Sequence, residues 1–130
     1  MEELMSINVL SSDKAPAAIG PYSQATQVGN TVYVSGQLPI DAQTGTMPPS
    51  IAAQTTQSLQ NIAAILKEAG MTMQNVVQAT VLLSDINDFS AMNEVYGKFF
   101  QAPYPARMAY QVACLPKNAK VEIAVIAAEK

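Results

Sequence analysis

The chain has 130 residues, a net charge of −3 and no histidine, and this length suits a single domain over residues 1–130. Because the charge is negative, general binding of nucleic-acid phosphates gets no support, and no apolar run approaches the roughly 20 residues that cross a bilayer. The absence of histidine excludes a Ser-His or Cys-His catalytic centre, and the single cysteine, Cys114, gives poor support to a zinc site.

Three strands are predicted in the first third of the chain, at residues 4–10, 24–28 and 31–37. The first could lie at a sheet edge, and a loop from Ser11 to Pro21 leads from it to Tyr22, which follows Gly-Pro in extended conformation. Gly29-Asn30 between the second and third strands predicts a two-residue hairpin. Gly36, inside the third strand, indicates either a bulge or a close approach to the backbone.

A helix, a strand and a second helix are predicted in the middle of the chain, at residues 51–69, 76–83 and 89–100. Ser50 is a good N-cap for the first helix, which Gly70 ends, and Asp88 is expected to cap the second. The second helix is expected to bury one apolar stripe, with Phe89, Met92, Tyr96 and Phe99 or Phe100 on its inner face, and Asn93 lies beside that stripe rather than opposite it. Its amide either bonds a nearby backbone group at the helix edge or points into a pocket.

The last two strands are predicted at residues 107–112 and 119–127, which completes an α+β fold with two helices on one face of a sheet. Residues on both sides of the last strand are mostly apolar, as in strands that are buried on both faces. Only 13% of the chain is charged, about half the usual share. We therefore expect the face without helices to pack against another subunit.

Arg107 is the only arginine in the chain, and it lies near the start of an apolar stretch, residues 104–116, that is predicted to be a buried strand. A guanidinium holds a carboxylate through two parallel hydrogen bonds and cannot lose its charge when buried. The carboxylate that it meets belongs either to an acidic residue of the protein or to a ligand.

Glu122 is the only acid in the middle of an apolar strand, where an ionised carboxylate is unfavourable unless it is paired or its pKa rises. If the last two strands formed a hairpin, Glu122 would oppose Gln111, and Arg107 would lie about 13 Å further along. That distance argues against a direct ion pair between Arg107 and Glu122 without excluding it. One pocket holding both groups would suit a small anionic substrate, with the glutamate positioning or deprotonating a water for attack on an already reactive electrophile.

Four motifs carry a resemblance that covers the chain from about Pro16 to its C-terminus. They are Ala17-Ala18-Ile19-Gly20-Pro21-Tyr22-Ser23-Gln24-Ala25, then Val34-Ser35-Gly36-Gln37-Leu38-Pro39, then Pro105-Ala106-Arg107 with Leu115-Pro116-Lys117, and Val121-Glu122-Ile123. In this order they resemble the Rid/YjgF family of reactive-intermediate deaminases, and the arginine and glutamate resemble its RidA subgroup in particular.

The resemblance implies a chorismate-mutase-like fold: a mixed sheet of about six strands with two helices on one face, in a homotrimer with pockets between subunits. It also implies that another strand separates the last two. The implied reaction, which uses no cofactor or metal, is hydrolysis of 2-imino acids such as 2-iminobutyrate and 2-iminopropionate. Enamine tautomers such as 2-aminoacrylate are included, and the products are 2-keto acids and ammonia.

Residue roles follow from the resemblance position by position. Arg107 would hold the substrate carboxylate and Glu122 would orient the attacking water. The substrate-binding positions would be Tyr22, Ser35, Gly36, Leu38, Asn93 and the backbone N–H of Ala109. Ala109 stands where many relatives have cysteine, and Met108 where serine or threonine is common, so substrate preference is the property these departures affect.

Two other functions remain as alternatives. Some relatives carry the label endoribonuclease or translation inhibitor, but the negative charge and the absence of a basic-aromatic patch argue against RNA binding. A non-catalytic trimer that binds small carboxylates would need Arg107 but not Glu122. The lone cysteine makes a reducing cytoplasm the simplest location, and neither a nucleic acid nor a membrane is an expected partner.

Overall fold

The computed structural model describes residues 6–130, and its strands and helices follow the predicted order. The strands are β1 (Asn8–Leu10), β2 (Ala25–Val28), β3 (Thr31–Gln37), β4 (Val76–Leu83), β5 (Ala106–Gln111) and β6 (Val121–Ala128), and the helices are α1 (Ile51–Glu68) and α2 (Phe89–Phe99). The first strand is shorter than expected, and residues 4 and 5 of that prediction lie outside the described residues.

The six strands form one mixed sheet in the order β1-β2-β3-β6-β4-β5. Neighbouring strands are antiparallel except β4 and β5, which are parallel. The predicted hairpin between β2 and β3 is confirmed: Val28 pairs with Thr31, and Gly29 has the positive φ that the turn requires. β4 separates β5 from β6, so the last two strands form no hairpin and the intervening strand is confirmed.

The ends of α1 confirm the capping prediction. Ser50 Oγ accepts a hydrogen bond from the Ala53 N–H at 3.1 Å, and Gly70 follows the helix with a φ of 72°. No helix within residues 6–130 has the length and apolarity needed to cross a membrane.

The predicted cap of α2 is wrong. Asp88 occupies the N-cap position of α2, but its side chain makes no capping hydrogen bond. Asp85 instead accepts from the Asn87 N–H at 2.9 Å and caps a short 3-10 turn, Ile86–Asp88, that leads into α2. This turn is itself a helical entry, so α2 continues from it without a side-chain cap of its own.

The core lies between the two helices and one face of the sheet. Alternate residues of β6 are buried on this side, and one stripe of α1 packs against them: Val121, Ile123, Val125 and Ala127 from β6, with Leu59, Ile62, Ile65 and Leu66 from α1. Burying each large side chain contributes about 1.5–3 kcal/mol. The remaining residues of β6 face the opposite side.

The face of the sheet that the helices leave uncovered is partly apolar. Its β6 residues are half-buried, and the register places Tyr33 of β3 and Met108 and Tyr110 of β5 on the same side. These three side chains are 48%, 50% and 48% exposed. The prediction that two helices cover only one face is therefore confirmed. We refer to this surface as the open face.

The burial predicted for the strand that contains Arg107 is wrong. β5 is an edge strand that pairs only with β4, and five of its six residues are exposed. Its apolar composition resembles that of an interior strand, but no other strand among residues 6–130 pairs with its outer edge.

A row of buried polar side chains on α1 fixes the chain that follows β3. Ser58 Oγ donates to the Gln37 carbonyl at 2.9 Å, and Asn61 Nδ2 donates to the carbonyls of Leu38 and Ile40 at 3.1 and 3.0 Å. Gln54 Oε1 accepts from the Lys120 N–H at 2.8 Å, next to the start of β6. These bonds satisfy backbone groups that would otherwise be buried without partners.

Gln24 fixes the loop between β1 and β2 in the same way. Its side chain is 4% exposed, and its Nε2 lies within hydrogen-bond distance of the carbonyls of Ser12, Ala15 and Pro16 at 3.2, 3.3 and 2.6 Å. Its Oε1 accepts from the Ser12 N–H. One amide therefore organises the loop that leads to Tyr22.

We predict that Gln24→Leu lowers the free energy of unfolding by about 2–4 kcal/mol, because backbone groups of Ser12, Ala15 and Pro16 lose a hydrogen-bond partner. Urea unfolding followed by circular dichroism measures the change. Gln27→Leu is the matched control: the Gln27 amide makes one exposed bond to the Gly29 carbonyl, and its loss should change stability by less than about 1 kcal/mol. Equal effects of the two variants would contradict the organising role of Gln24.

Candidate functional site

The guanidinium of Arg107 lies against one face of α2. Its Nη1 donates to Asn93 Oδ1 at 2.7 Å, and its Cζ lies 4.7 Å from the ring centroid of Tyr96 and 5.5 Å from that of Phe89. The Asn93 amide thus bonds a side chain. From the sequence, it was open whether this amide bonds a backbone group or points into a pocket. Both aromatic rings are close enough for cation–π attraction.

Arg107 has no acidic partner among residues 6–130. Its one hydrogen bond goes to the neutral Asn93 amide, and the side chain is exposed. The structural ion pair that the sequence left open is therefore absent from the described part of the chain. A guanidinium with a full charge and unused donors is suited to an anionic ligand.

Glu122 lies on the open face, half-buried and without a hydrogen-bond donor among the described residues. Burial raises the pKa of its carboxyl above the ordinary value for glutamate. Its carboxylate is consequently a stronger base than a solvated one. That is the property expected of a group that accepts a proton from water.

Gly36 provides the space that the Glu122 side chain occupies. A Cβ at position 36 would lie 3.0 Å from Glu122 Cδ and 3.2 Å from its Cγ, and would overlap the carboxylate oxygen Oε2. The pairing of β3 with β6 also changes register between Val34 and Gln37. Both interpretations of this glycine, a bulge and a close approach, are thus found together.

Ser35 precedes Gly36 on β3, and it is linked to the loop before β2, at the residue that follows Tyr22. Ser35 Oγ donates to the Ser23 carbonyl at 2.6 Å, so its hydroxyl holds the loop in place. Tyr22 is 52% exposed and lines a cleft of about 490 Å³ together with the loop organised by Gln24. Glu122, Gly36, Ser35 and Tyr22 form what we call the carboxylate half-site.

The guanidinium half-site consists of Arg107, the α2 residues against it, and Ala109, which lies two residues further along β5 on the same side of the sheet. Leu38 belongs to neither cluster by direct contact. It is half-buried just after β3, and its carbonyl accepts from the Asn61 amide.

The two half-sites do not meet within one chain. Across β4, Arg107 is level with Ala79 and Glu122 with Leu82, so two strand spacings and three residues separate them. Their Cα atoms are therefore about 14 Å apart. Arg107 points toward the helices and Glu122 toward the open face, so the two groups lie on opposite sides of the sheet of one chain.

Phe89 and Tyr96 are the residues whose contact with Arg107 the sequence did not reveal. Both were expected in the apolar inner face of α2, and Tyr96 is indeed buried, at 5% exposed. The only feature of the sequence that could have indicated these contacts is spacing, because residues 89, 93 and 96 lie on one side of a helix. Within residues 6–130, no group of three or more acidic or cysteine side chains is arranged to hold a metal ion.

Comparisons with known proteins find relatives that match nearly the whole chain. A family model described as Endoribonuclease L-PSP matches residues 12–129. A goat (Capra hircus) protein named 2-iminobutanoate/2-iminopropanoate deaminase is 56% identical over 122 residues, covering 93% of this chain and 89% of its own.

Two solved structures have nearly the same fold. The crystal structure of E. coli TdcF with bound serine has a TM-score of 0.92 at 43% identity, covering 95% of this chain and 99% of its own. RidA from an Antarctic Psychrobacter has a TM-score of 0.91 at 48% identity, covering 94% and 99%.

We predict that Gly36→Ala displaces the Glu122 carboxylate toward solvent and returns its pKa toward the ordinary glutamate value. The end of a flexible side chain can move aside, so stability should change by less than about 1.5 kcal/mol. A carboxyl-detected NMR titration of Glu122 measures the pKa.

Gly97→Ala is the control for this substitution. Gly97 lies within α2 with open space where a Cβ would be, so the alanine should stabilise the helix by up to about 1 kcal/mol and leave the Glu122 titration unchanged. An unchanged Glu122 pKa in Gly36→Ala would show that the close approach does not set the environment of the carboxylate.

Proposed function

Because this chain belongs to the Endoribonuclease L-PSP family, also called Rid/YjgF, we propose that it hydrolyses 2-imino acids, such as 2-iminobutanoate and 2-iminopropanoate, to 2-keto acids and ammonia. The observation that carries this proposal is the Arg107 guanidinium, which has no acidic partner among residues 6–130. Relatives named 2-iminobutanoate/2-iminopropanoate deaminase, 50–56% identical over nearly the whole chain, support the substrate class.

The chemistry requires few groups because a 2-imino acid is already electrophilic. Arg107 binds the substrate carboxylate, and water attacks the imine carbon while the Glu122 carboxylate accepts a proton from it. Glu122 returns this proton to the nitrogen, which gives a tetrahedral adduct with one hydroxyl and one amino group. The hydroxyl proton is then transferred to the amino group through the same carboxylate, and the C–N bond breaks as the C=O bond forms, so that ammonia and the 2-keto acid leave. The raised pKa of Glu122 favours the first of these transfers.

The remaining positions are assigned as substrate-binding residues around these two groups. Tyr22, Ser35 and Gly36 belong to the carboxylate half-site, Asn93 and Ala109 to the guanidinium half-site, and Leu38 borders the end of β3. Asn93 would border the substrate carboxylate through its bond to Arg107. The backbone N–H of Ala109 would bind the substrate.

A homotrimer would bring the half-sites together. Since Arg107 and Glu122 point to opposite sides of one sheet, a complete site needs Arg107 from one subunit and Glu122 from a neighbour. The half-exposed Tyr33, Met108 and Tyr110 side chains of the open face supply apolar surface for such an assembly. The lone cysteine, Cys114, is free and exposed, which supports a reducing cytoplasmic location.

We predict that the purified protein accelerates ammonia release from 2-iminobutanoate generated in place by an amino-acid oxidase. Arg107→Ala should lower kcat/KM by roughly a hundredfold or more, because the substrate carboxylate loses its partner. Glu122→Gln should lower kcat by about 10²–10⁴-fold while a 2-keto acid still binds.

The pH dependence separates catalysis from mere binding. The rate should rise with pH as Glu122 loses its proton, and because the pKa of that group is raised, the rise should occur above the usual glutamate range. Two control variants each remove an exposed charge outside the proposed site. Lys98→Ala removes a positive charge, as Arg107→Ala does, and Glu129→Gln removes a negative charge, as Glu122→Gln does. Both should leave activity unchanged. A fully active Glu122→Gln would show that another group positions the water, whereas a wild type that binds 2-keto acids but releases no ammonia would be a carboxylate binder.

Mixing two inactive variants tests whether the site lies between subunits. When Arg107→Ala and Glu122→Gln chains are unfolded together and refolded, some interfaces receive an intact Arg107 from one chain and an intact Glu122 from the other. We predict that these mixed oligomers regain part of the activity, whereas each variant refolded alone does not. Absence of any recovery in oligomers shown by mass spectrometry to be mixed would mean that both residues act from one chain.

A further inference from the structure

One face of α2 surrounds the Arg107 guanidinium with three side chains. Phe89, Asn93 and Tyr96 are four and three residues apart, which places them on the same side of the helix. We infer that this face is a holder that sets the position and orientation of the guanidinium, and that Phe89, Asn93 and Tyr96 are positioning residues. This inference rests on the proposed function, in which Arg107 binds the substrate carboxylate.

An exposed arginine needs such support to act as an anchor. A free side chain of this length samples many rotamers, and ordering it on binding would reduce affinity. The rings of Tyr96 and Phe89, at 4.7 and 5.5 Å from Cζ, attract the cation and restrict its side chain. The guanidinium is therefore ordered before substrate arrives.

Asn93 sets the orientation of the Arg107 guanidinium. Its Oδ1 accepts from Nη1 at 2.7 Å, while Nε and Nη2 donate to no residue among 6–130. The amide is neutral, so it fixes one side of the guanidinium and leaves the charge uncompensated. A carboxylate at position 93 would also bond Nη1, but it would neutralise the cation and compete with the substrate.

Tyr96 contributes its ring rather than its hydroxyl. The ring packs against Phe100 with centroids 4.5 Å apart, and the hydroxyl is buried without a hydrogen-bond partner in the described part of the chain. Burial raises the pKa of Tyr96 although Arg107 acts in the opposite direction. Phenylalanine at this position should therefore hold the guanidinium as well as tyrosine does.

The test uses the fact that Arg107 is the only arginine, so the protein gives a single arginine Nε–Hε resonance. In the wild type we expect this resonance to be displaced upfield by the two rings. Tyr96→Leu should move it toward the position of a free arginine. The same variant should raise KM for 2-iminobutanoate and the dissociation constant of 2-oxobutanoate, each about tenfold, with a smaller effect on kcat.

Two matched variants distinguish a loss of Arg107 positioning from a general change in the packing of α2. Tyr96→Phe keeps the ring and should retain the resonance, KM and kcat of the wild type. Phe99→Leu removes an aromatic ring from the same helix without contact to Arg107 and should also leave all three unchanged. If Tyr96→Leu does not fold, Asn93→Asp at an exposed position replaces it: the resonance should persist while KM rises at least tenfold.

Unchanged KM or an unmoved resonance in folded Tyr96→Leu would overturn the inference, as would unchanged KM in Asn93→Asp. These outcomes are distinct from a failure of the proposed function. If the wild type released no ammonia, the resonance and 2-oxobutanoate binding would still decide whether α2 positions Arg107.

Discussion

The position of β4 between β5 and β6 is the constraint on which the rest of this structure depends. It separates the strands that carry Arg107 and Glu122 by two strand spacings, and the side-chain alternation then directs the two groups to opposite faces. Two helices can cover only one of these faces. The same topology therefore leaves an apolar open face, an exposed edge strand with one cation, and a carboxylate on the other side. All three features support the proposal that a second subunit completes the site.

Buried amides and hydroxyls hold the irregular segments around this sheet. Gln24 binds the loop before β2, Ser35 binds its end, and the polar row on α1 binds the chain after β3. Each bond goes to a backbone group that a loop cannot satisfy by itself. The carboxylate half-site thus rests on fixed main chain although much of it lies outside regular secondary structure.

The sequence predicted the features that have local causes. Element order follows from periodicity, and the Ser50 cap and the Gly29-Asn30 turn follow from residue chemistry. Arg107 and Glu122 became candidates through their isolation in apolar stretches, and their roles stay a prediction. It could not predict features set by distant partners. The exposure of β5 depends on its place in the sheet, and the buried amides of Gln24, Gln54 and Asn61 look like surface residues until the backbone they bond is known. Tyr96 was expected in the core, which is correct, but its contact with Arg107 depends on how α2 packs beside β5.

The space shared by Gly36 and Glu122 links two positions that are far apart in the chain. The Glu122 side chain fills the volume that any side chain at position 36 would need. Substitutions at the two positions should therefore show epistasis, because a larger residue at 36 displaces the Glu122 carboxylate but would displace nothing if the side chain at 122 were shorter. In the divergence of such sequences, the glycine and the glutamate would be expected to change together or not at all.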